Sequence, residues 1–118
     1  MHAASNYCRL DAVKLLLKHG ANVNAESHDR GTALQVAARQ YYPDIAETLL
    51  SHDADANILN SGKYSTALVA ASYLDHDNIV KILLIYGANV NAASLEYSTP
   101  LRAALKHGHK NVIKMLRE

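Results

Sequence analysis

Tryptophan and phenylalanine are both missing from this chain of 118 residues, and there are only one cysteine and two prolines. Without large aromatic anchors the interior has to be built from Ala, Leu, Val and Ile, which supply most of the 49% apolar fraction. Such a chain packs by close approach of helices. A lone Cys8 cannot close an internal disulfide, which fits a reducing compartment and leads us to expect an intracellular protein, cytoplasmic or nuclear. No apolar run nears the ~20 residues needed to cross a bilayer, and MHAASNYCRL lacks the apolar centre of a signal peptide. No membrane partner is therefore expected. A formal charge of +1 leaves no excess of either sign, so nothing predicts a nucleic-acid partner.

The signatures of chemistry are missing as well. There is no G-x-S-x-G, no P-loop and no glycine-rich dinucleotide turn. The reading is of a non-enzyme with no cofactor. Seven histidines invite a metal hypothesis, but no Cys–His set has zinc-like spacing. Four of the histidines instead fall into two pairs, His19 with His52 and His76 with His109, separated by the interval at which the rest of the sequence repeats. No metal site is predicted.

What is present is repetition. LLLKHGANVNA from Leu15 returns as ILLIYGANVNA from Ile82, and Asp53-Ala54-Asp55-Ala56-Asn57 is an altered copy between them. Gly20, Asp53 and Gly87 are separated by 33 and 34 residues. A second phrase keeps the same beat: TALQVAA from Thr32, TALVAAS from Thr66 and TPLRAAL from Thr99. In the same register MHAA is the remnant of an earlier copy. A period near 33 marks stacked units that cannot bury their apolar face alone.

Local chemistry describes each unit. Thr32, Thr66 and Thr99 are good N-caps, and Pro100 suits the first helical position. They predict short first helices over 33–40, 67–74 and 100–107. A polar break follows, then a second apolar helix; in DNIVKILLIY the buried side is Ile79, Val80, Ile82, Leu83 and Leu84. Gly20 and Gly87 stop this helix in the left-handed conformation that glycine accepts, and Asp53 stands there in the second unit. The polar segments AESHDRG, ILNSGKYS and AASLEYS then read as turns or hairpin fingers. Asp75, His76 and Asp77 read as residues capping a second helix, where negative charge is favoured.

With these motifs in one register, the chain resembles the ankyrin-repeat family. The matches are TPLRAA from Thr99, Gly108-His109, the apolar runs Ala12–Leu17 and Val80–Leu84, and GANVN twice. The resemblance covers the whole chain. It implies an all-α solenoid of helix-turn-helix units joined by β-hairpin fingers, a single domain 1–118 with units 1–26, 27–60, 61–93 and 94–118. The first and last units are partial, as in a fragment of a longer array.

The resemblance further implies a protein-protein interaction module, with the partner held on a concave face made by fingers and first helices. The register places His28, Asp29, Lys63, Tyr64, Leu95, Glu96 and Tyr97 on the fingers. It places Asn6, Tyr7, Arg39, Gln40, Tyr73, Leu74, Lys106 and His107 on the first helices. Tyrosine brings contact area and a polar tip with only two side-chain torsions. Two other readings stand beside this one. The chain could be a structural spacer of a longer array with no partner of its own, or Asn24 and Asn91 could be hydroxylation targets, as in some ankyrin repeats; in either case a monomer or end-to-end stacking is expected.

Departures from the family pattern carry their own expectations. Gln35, Val69 and Arg102 replace the histidine of T-P-L-H, so its hydrogen bond is replaced or lost. Cys8 takes the place of the glycine between the two helices of the first unit. Thr48 stands where Leu15, Ile82 and Met115 stand in the other units. Together with Asp53, and with a finger before Thr66 longer by one residue, it makes the second unit the least stable.

Overall fold

A computed structural model describes residues 2–27, 31–59, 66–91 and 99–117, with the side chains of 2–8, 26 and 27 outside the description. Among the described residues, seven helices and one two-stranded hairpin follow in the order α1 (His2–Lys18), β1 (Glu26–Ser27), β2 (Gly31–Thr32), α2 (Ala33–Gln40), α3 (Pro43–Ser51), α4 (Ala67–Tyr73), α5 (Asp77–Ile85), α6 (Pro100–Lys106) and α7 (Lys110–Arg117). The helices form two layers. α2, α4 and α6 stack side by side as an inner row, and α1, α3, α5 and α7 run along an outer row. Each inner helix is paired with the outer helix that follows it. The molecule measures 39 × 28 × 23 Å.

The three predicted first helices begin where the threonines place them. The backbone N–H of Gln35, Val69 and Arg102 donates to Thr32, Thr66 and Thr99 Oγ1 at 3.2, 3.2 and 3.3 Å. Each threonine is extended at ψ near 160° and satisfies a donor that the first helical turn leaves open. The lost histidine is replaced in one unit. Gln35 Oε1 accepts from Thr32 N–H at 2.8 Å, completing a capping box, and Gln35 Nε2 donates to the Ile58 carbonyl at 3.0 Å.

The outer helices end alike. Gly20, Asp53 and Gly87 have φ of 84°, 69° and 86°, and the next N–H returns to the fifth residue back: Ala21 to Leu16, Ala54 to Leu49, Ala88 to Leu83. This satisfies the open carbonyls of the last turn. The same device closes the inner helices, with Tyr41, Asp75 and Gly108 left-handed at φ of 61°, 62° and 66°. Tyr42, His76 and His109 then donate back to Ala37, Ala71 and Ala104. Asp77 lies in the first turn of α5, and His76 is its N-cap without a side-chain bond.

Two expectations are corrected. Cys8 is not in a turn: α1 runs unbroken from His2 to Lys18, so the first unit contributes one long outer helix and no inner one. Every residue of HAASNYC is compatible with a helix, and no Gly or Pro breaks it. On α5, Ile79, Val80 and Leu83 are buried, whereas Ile82 and Leu84 are only partly so. The core is continuous through both layers, from Leu34, Ala38, Leu49 and Leu50 to Leu68, Ala71, Leu83, Ala104 and Val112. Small residues dominate the inner row, as the shortage of aromatics requires. The first finger is a hairpin, Glu26 facing Thr32 and Ser27 facing Gly31.

Candidate interaction surface

The core residues of the inner helices are small and alike, but the residues that follow them are not. Counting from each threonine, the fifth residue is Ala37, Ala71 or Ala104, at most 1% exposed. The seventh and eighth are Arg39-Gln40, Tyr73-Leu74 and Lys106-His107. Gln40, Lys106 and His107 are exposed, and Arg39, Tyr73 and Leu74 are half-buried. These six predicted residues therefore form a strip across the C-terminal ends of three neighbouring helices. Tyr73 is divided in purpose: it packs against Val69 and Ala103 and meets the His107 ring edge-on at 5.1 Å. Tyr7 lies on α1. The predicted finger residues His28, Asp29, Lys63, Tyr64, Leu95, Glu96 and Tyr97 lie outside the described residues.

Beside the strip runs a row of rings at the inter-helix turns. Tyr41, 43% exposed, packs on His76 with centroids 4.9 Å apart, and its hydroxyl accepts from Asn78 Nδ2 at 3.0 Å. Sequence reasoning missed Tyr41. Its position in the glycine register was the available signal, since a left-handed tyrosine there has to turn its ring outward. His76 Nδ1 lies 2.7 Å from the Ala38 carbonyl and His109 Nε2 lies 2.8 Å from the Tyr73 carbonyl. Each histidine so ties its unit to the end of the preceding inner helix when that nitrogen carries the proton. His109 Nδ1 is 3.7 Å from the Asp75 carboxylate. At the same register Tyr42 accepts from the Arg9 guanidinium, which also lies 5.2 Å from the centre of its ring. The pair His76 and His109 thus has structural partners. Among the described residues no three His, Cys, Asp or Glu side chains converge in a way that could hold a metal ion, and no helix is long and apolar enough to cross a membrane.

The opposite edge explains the repeated GANVN. Asn22 Oδ1 accepts from Asn24 N–H, and Asn24 Oδ1 accepts from Asp55 N–H in the next unit at 2.7 Å. Asp55 Oδ1 accepts from Asn57 N–H, Asn57 Oδ1 from Asn89 N–H at 2.6 Å, and Asn89 Oδ1 from Asn91 N–H. One ladder of side-chain acceptors and backbone donors crosses three units. It holds their loops in register, so the side chains at equivalent positions keep a fixed spacing.

The family model for ankyrin repeats matches residues 1–60 and 54–118, in three copies. The chain belongs to the ankyrin-repeat family. It is 35% identical over 97 residues to a putative ankyrin repeat protein of Acanthamoeba polyphaga mimivirus, covering 81% of this chain and 12% of that one. It is 32% identical over 100 residues to a transient receptor potential cation channel, subfamily A member 1, of Drosophila melanogaster, covering 81% and 8%. Protein phosphatase 1 regulatory subunit 27 of Mus musculus is 34% identical over 76 residues, covering 64% and 49%. The chain spans about a tenth of the length of the first two relatives.

Proposed function

We propose that this chain is a non-enzymatic protein-binding module whose recognition surface is the strip Arg39-Gln40, Tyr73-Leu74 and Lys106-His107, together with Tyr7 and the predicted finger residues His28, Asp29, Lys63, Tyr64, Leu95, Glu96 and Tyr97. The supporting observation is the contrast within each inner helix: a uniform buried alanine two residues before side chains that differ in every unit. A rigid backbone carrying varied side chains loses little ordering entropy on binding. The ring pairs Tyr41 with His76 and Tyr73 with His107 add the ring-rich chemistry common at interface centres. A relative named as a phosphatase regulatory subunit fits a role of serving another protein. We place the module inside the cell, on the lone cysteine.

The test compares affinity capture and cross-linking by the wild-type chain with a Gln40→Ala, Leu74→Ala, His107→Ala variant and with an outer-row variant, Glu47→Ala, Lys81→Ala, Lys114→Ala. The expected result is a partner lost only by the first variant, at an unchanged melting temperature. Loss through the outer-row variant instead would overturn the proposed face. No saturable partner for any form would favour the spacer reading, which the short coverage of the long relatives supports.

A further inference from the structure

Charge is sorted between the two rows of helices. The outer helices α1, α3 and α5 carry Asp11, Asp44, Glu47 and Asp77. The inner helices α2, α4 and α6 carry Arg39, Arg102 and Lys106 and no carboxylate. Arg39 and Lys106 stand in the last turns of α2 and α6. In the turn after α4, the carboxylate of Asp75 faces His109 Nδ1 at 3.7 Å.

The stack sets these side chains in a line. Counting from each threonine, the seventh residue is Arg39, Tyr73 or Lys106, and the eighth is Gln40, Leu74 or His107. An apolar step therefore lies between two cationic ones. Tyr73 and Leu74 are half-buried, and the His107 ring meets Tyr73 edge-on at 5.1 Å, so ring area continues from the middle unit into the last. α4 packs against α2 on one side and α6 on the other. Packed helices lie about 10 Å apart, which puts Arg39 and Lys106 about 20 Å apart across the strip. Both also interact within the chain. A guanidinium has five N–H donors and an ammonium three, so each can serve a further acceptor.

Taking the strip as the recognition surface, we propose that its partner is an extended acidic segment of another protein, with an apolar side chain between two carboxylates. The apolar side chain covers Tyr73 and Leu74. One carboxylate meets Arg39 and Gln40, and the other meets Lys106 and His107. An extended chain rises about 3.3 Å per residue, so the two carboxylates stand about six residues apart with the apolar residue midway. Arg39 offers its carboxylate a two-pronged donor, and Lys106 offers a point charge. Cations at the two ends speed encounter and reject basic segments, while the rings and Leu74 supply contact area.

Selection from a displayed library of random peptides by the wild-type chain tests this. Enrichment of Asp or Glu on both sides of an apolar residue is expected. The selected peptide, once synthesised, should bind about tenfold more weakly to the Arg39→Glu, Lys106→Glu variant, and more weakly to the wild type as salt rises. Arg39→Gln with Lys106→Gln removes the charges without reversing them, and keeps the comparison where the first variant melts early. Selected peptides that lack acids but are lost by Leu74→Ala with His107→Ala overturn the inference and leave the binding face in place. Acidic peptides that ignore both charge variants overturn it as well. If no peptide is selected the inference falls, while the face is judged by capture of a folded partner. Tighter binding of oligothymidylate than of the peptide by the same two cations overturns it in favour of single-stranded nucleic acid.

Discussion

The second and third units are built on the same turns and fail the family pattern in different places. In the second the outer helix is the irregular one: α3 carries Thr48 where α5 carries Ile82, and it ends on a left-handed Asp53 where α5 ends on Gly87. In the third the inner helix is irregular. Val69 cannot reach the bonds that Gln35 makes, and Ser72 buries a hydroxyl where Ala38 buries only a methyl group. Ser72 Oγ has no hydrogen-bond partner among the described residues. The backbone closes identically in both units despite this, with equivalent N–H groups returning to equivalent carbonyls. Stacking therefore dictates the turn, and individual residues tolerate it to different degrees.

The sharpest way to break the comparison is to empty the shared core. Leu49 and Leu83 occupy one register, 2% and 0% exposed. Leu49→Ala and Leu83→Ala should each destabilise by about 2–5 kcal/mol. Against a domain total of about 5–15 kcal/mol, either is severe. Urea unfolding followed by circular dichroism measures both. Equal losses would mean that the two interfaces are equally tight; a smaller loss at Leu49 would locate the weakness of the second unit in its packing.

Much of this was legible before any coordinates. Thr32, Thr66 and Thr99 are local signals, and a cap acts within one turn, so the starts of α2, α4 and α6 could be read directly. Gly20 and Gly87 were equally clear. That α1 runs on through Cys8 was not, because the repeat register put a turn there although HAASNYC contains nothing that stops a helix. The Asn ladder was half visible. GANVN was plainly repeated, but that Asn24 serves Asp55 in the next unit follows from stacking alone. Left-handed Tyr41 and Asp75 were not foreseen, since neither is a glycine. The strip at Arg39, Tyr73 and Lys106 could be counted out from the threonines, whereas the double role of Tyr73, part core and part surface, depends on Ala103 in the next unit.

Gln35 is the next place to press. Its side chain accepts from the Thr32 N–H and donates to the Ile58 carbonyl. Gln35→Ala leaves a buried donor at Thr32 and removes a tie to the loop after α3, with an expected loss of about 1–3 kcal/mol. Hydrogen exchange should show faster amides over 54–59 in this variant. A uniform change across the chain would mean that Gln35 acts only through global stability. In the opposite direction, Ser72→Ala removes a buried hydroxyl without a partner and should stabilise by about 1 kcal/mol, making the third unit resemble the second at this place. Thermal unfolding measures it.

The smallest effect concerns the ends of the outer helices. Asp53 has φ of 69° and Gly87 has φ of 86°, with matching return bonds from Ala54 and Ala88. A side chain in this conformation is strained even where there is room for it, and a Cβ at Gly87 would meet nothing within 4 Å. The difference between the two caps is thus one of backbone preference. Asp53→Gly should stabilise by somewhat under 1 kcal/mol, because aspartate tolerates this conformation better than most residues, and Gly87→Asp should destabilise by a similar amount. Before substitution the amides of α3 should exchange faster than those of α5, and Asp53→Gly should narrow the gap. If α3 amides are already the slower set, the second unit is not the weak one, and its irregular residues are offset by the contacts Tyr41 makes with His76 and Asn78. In that case Tyr41→Gly, which relieves a left-handed tyrosine but removes both contacts, should weaken the stack where Asp53→Gly strengthens it.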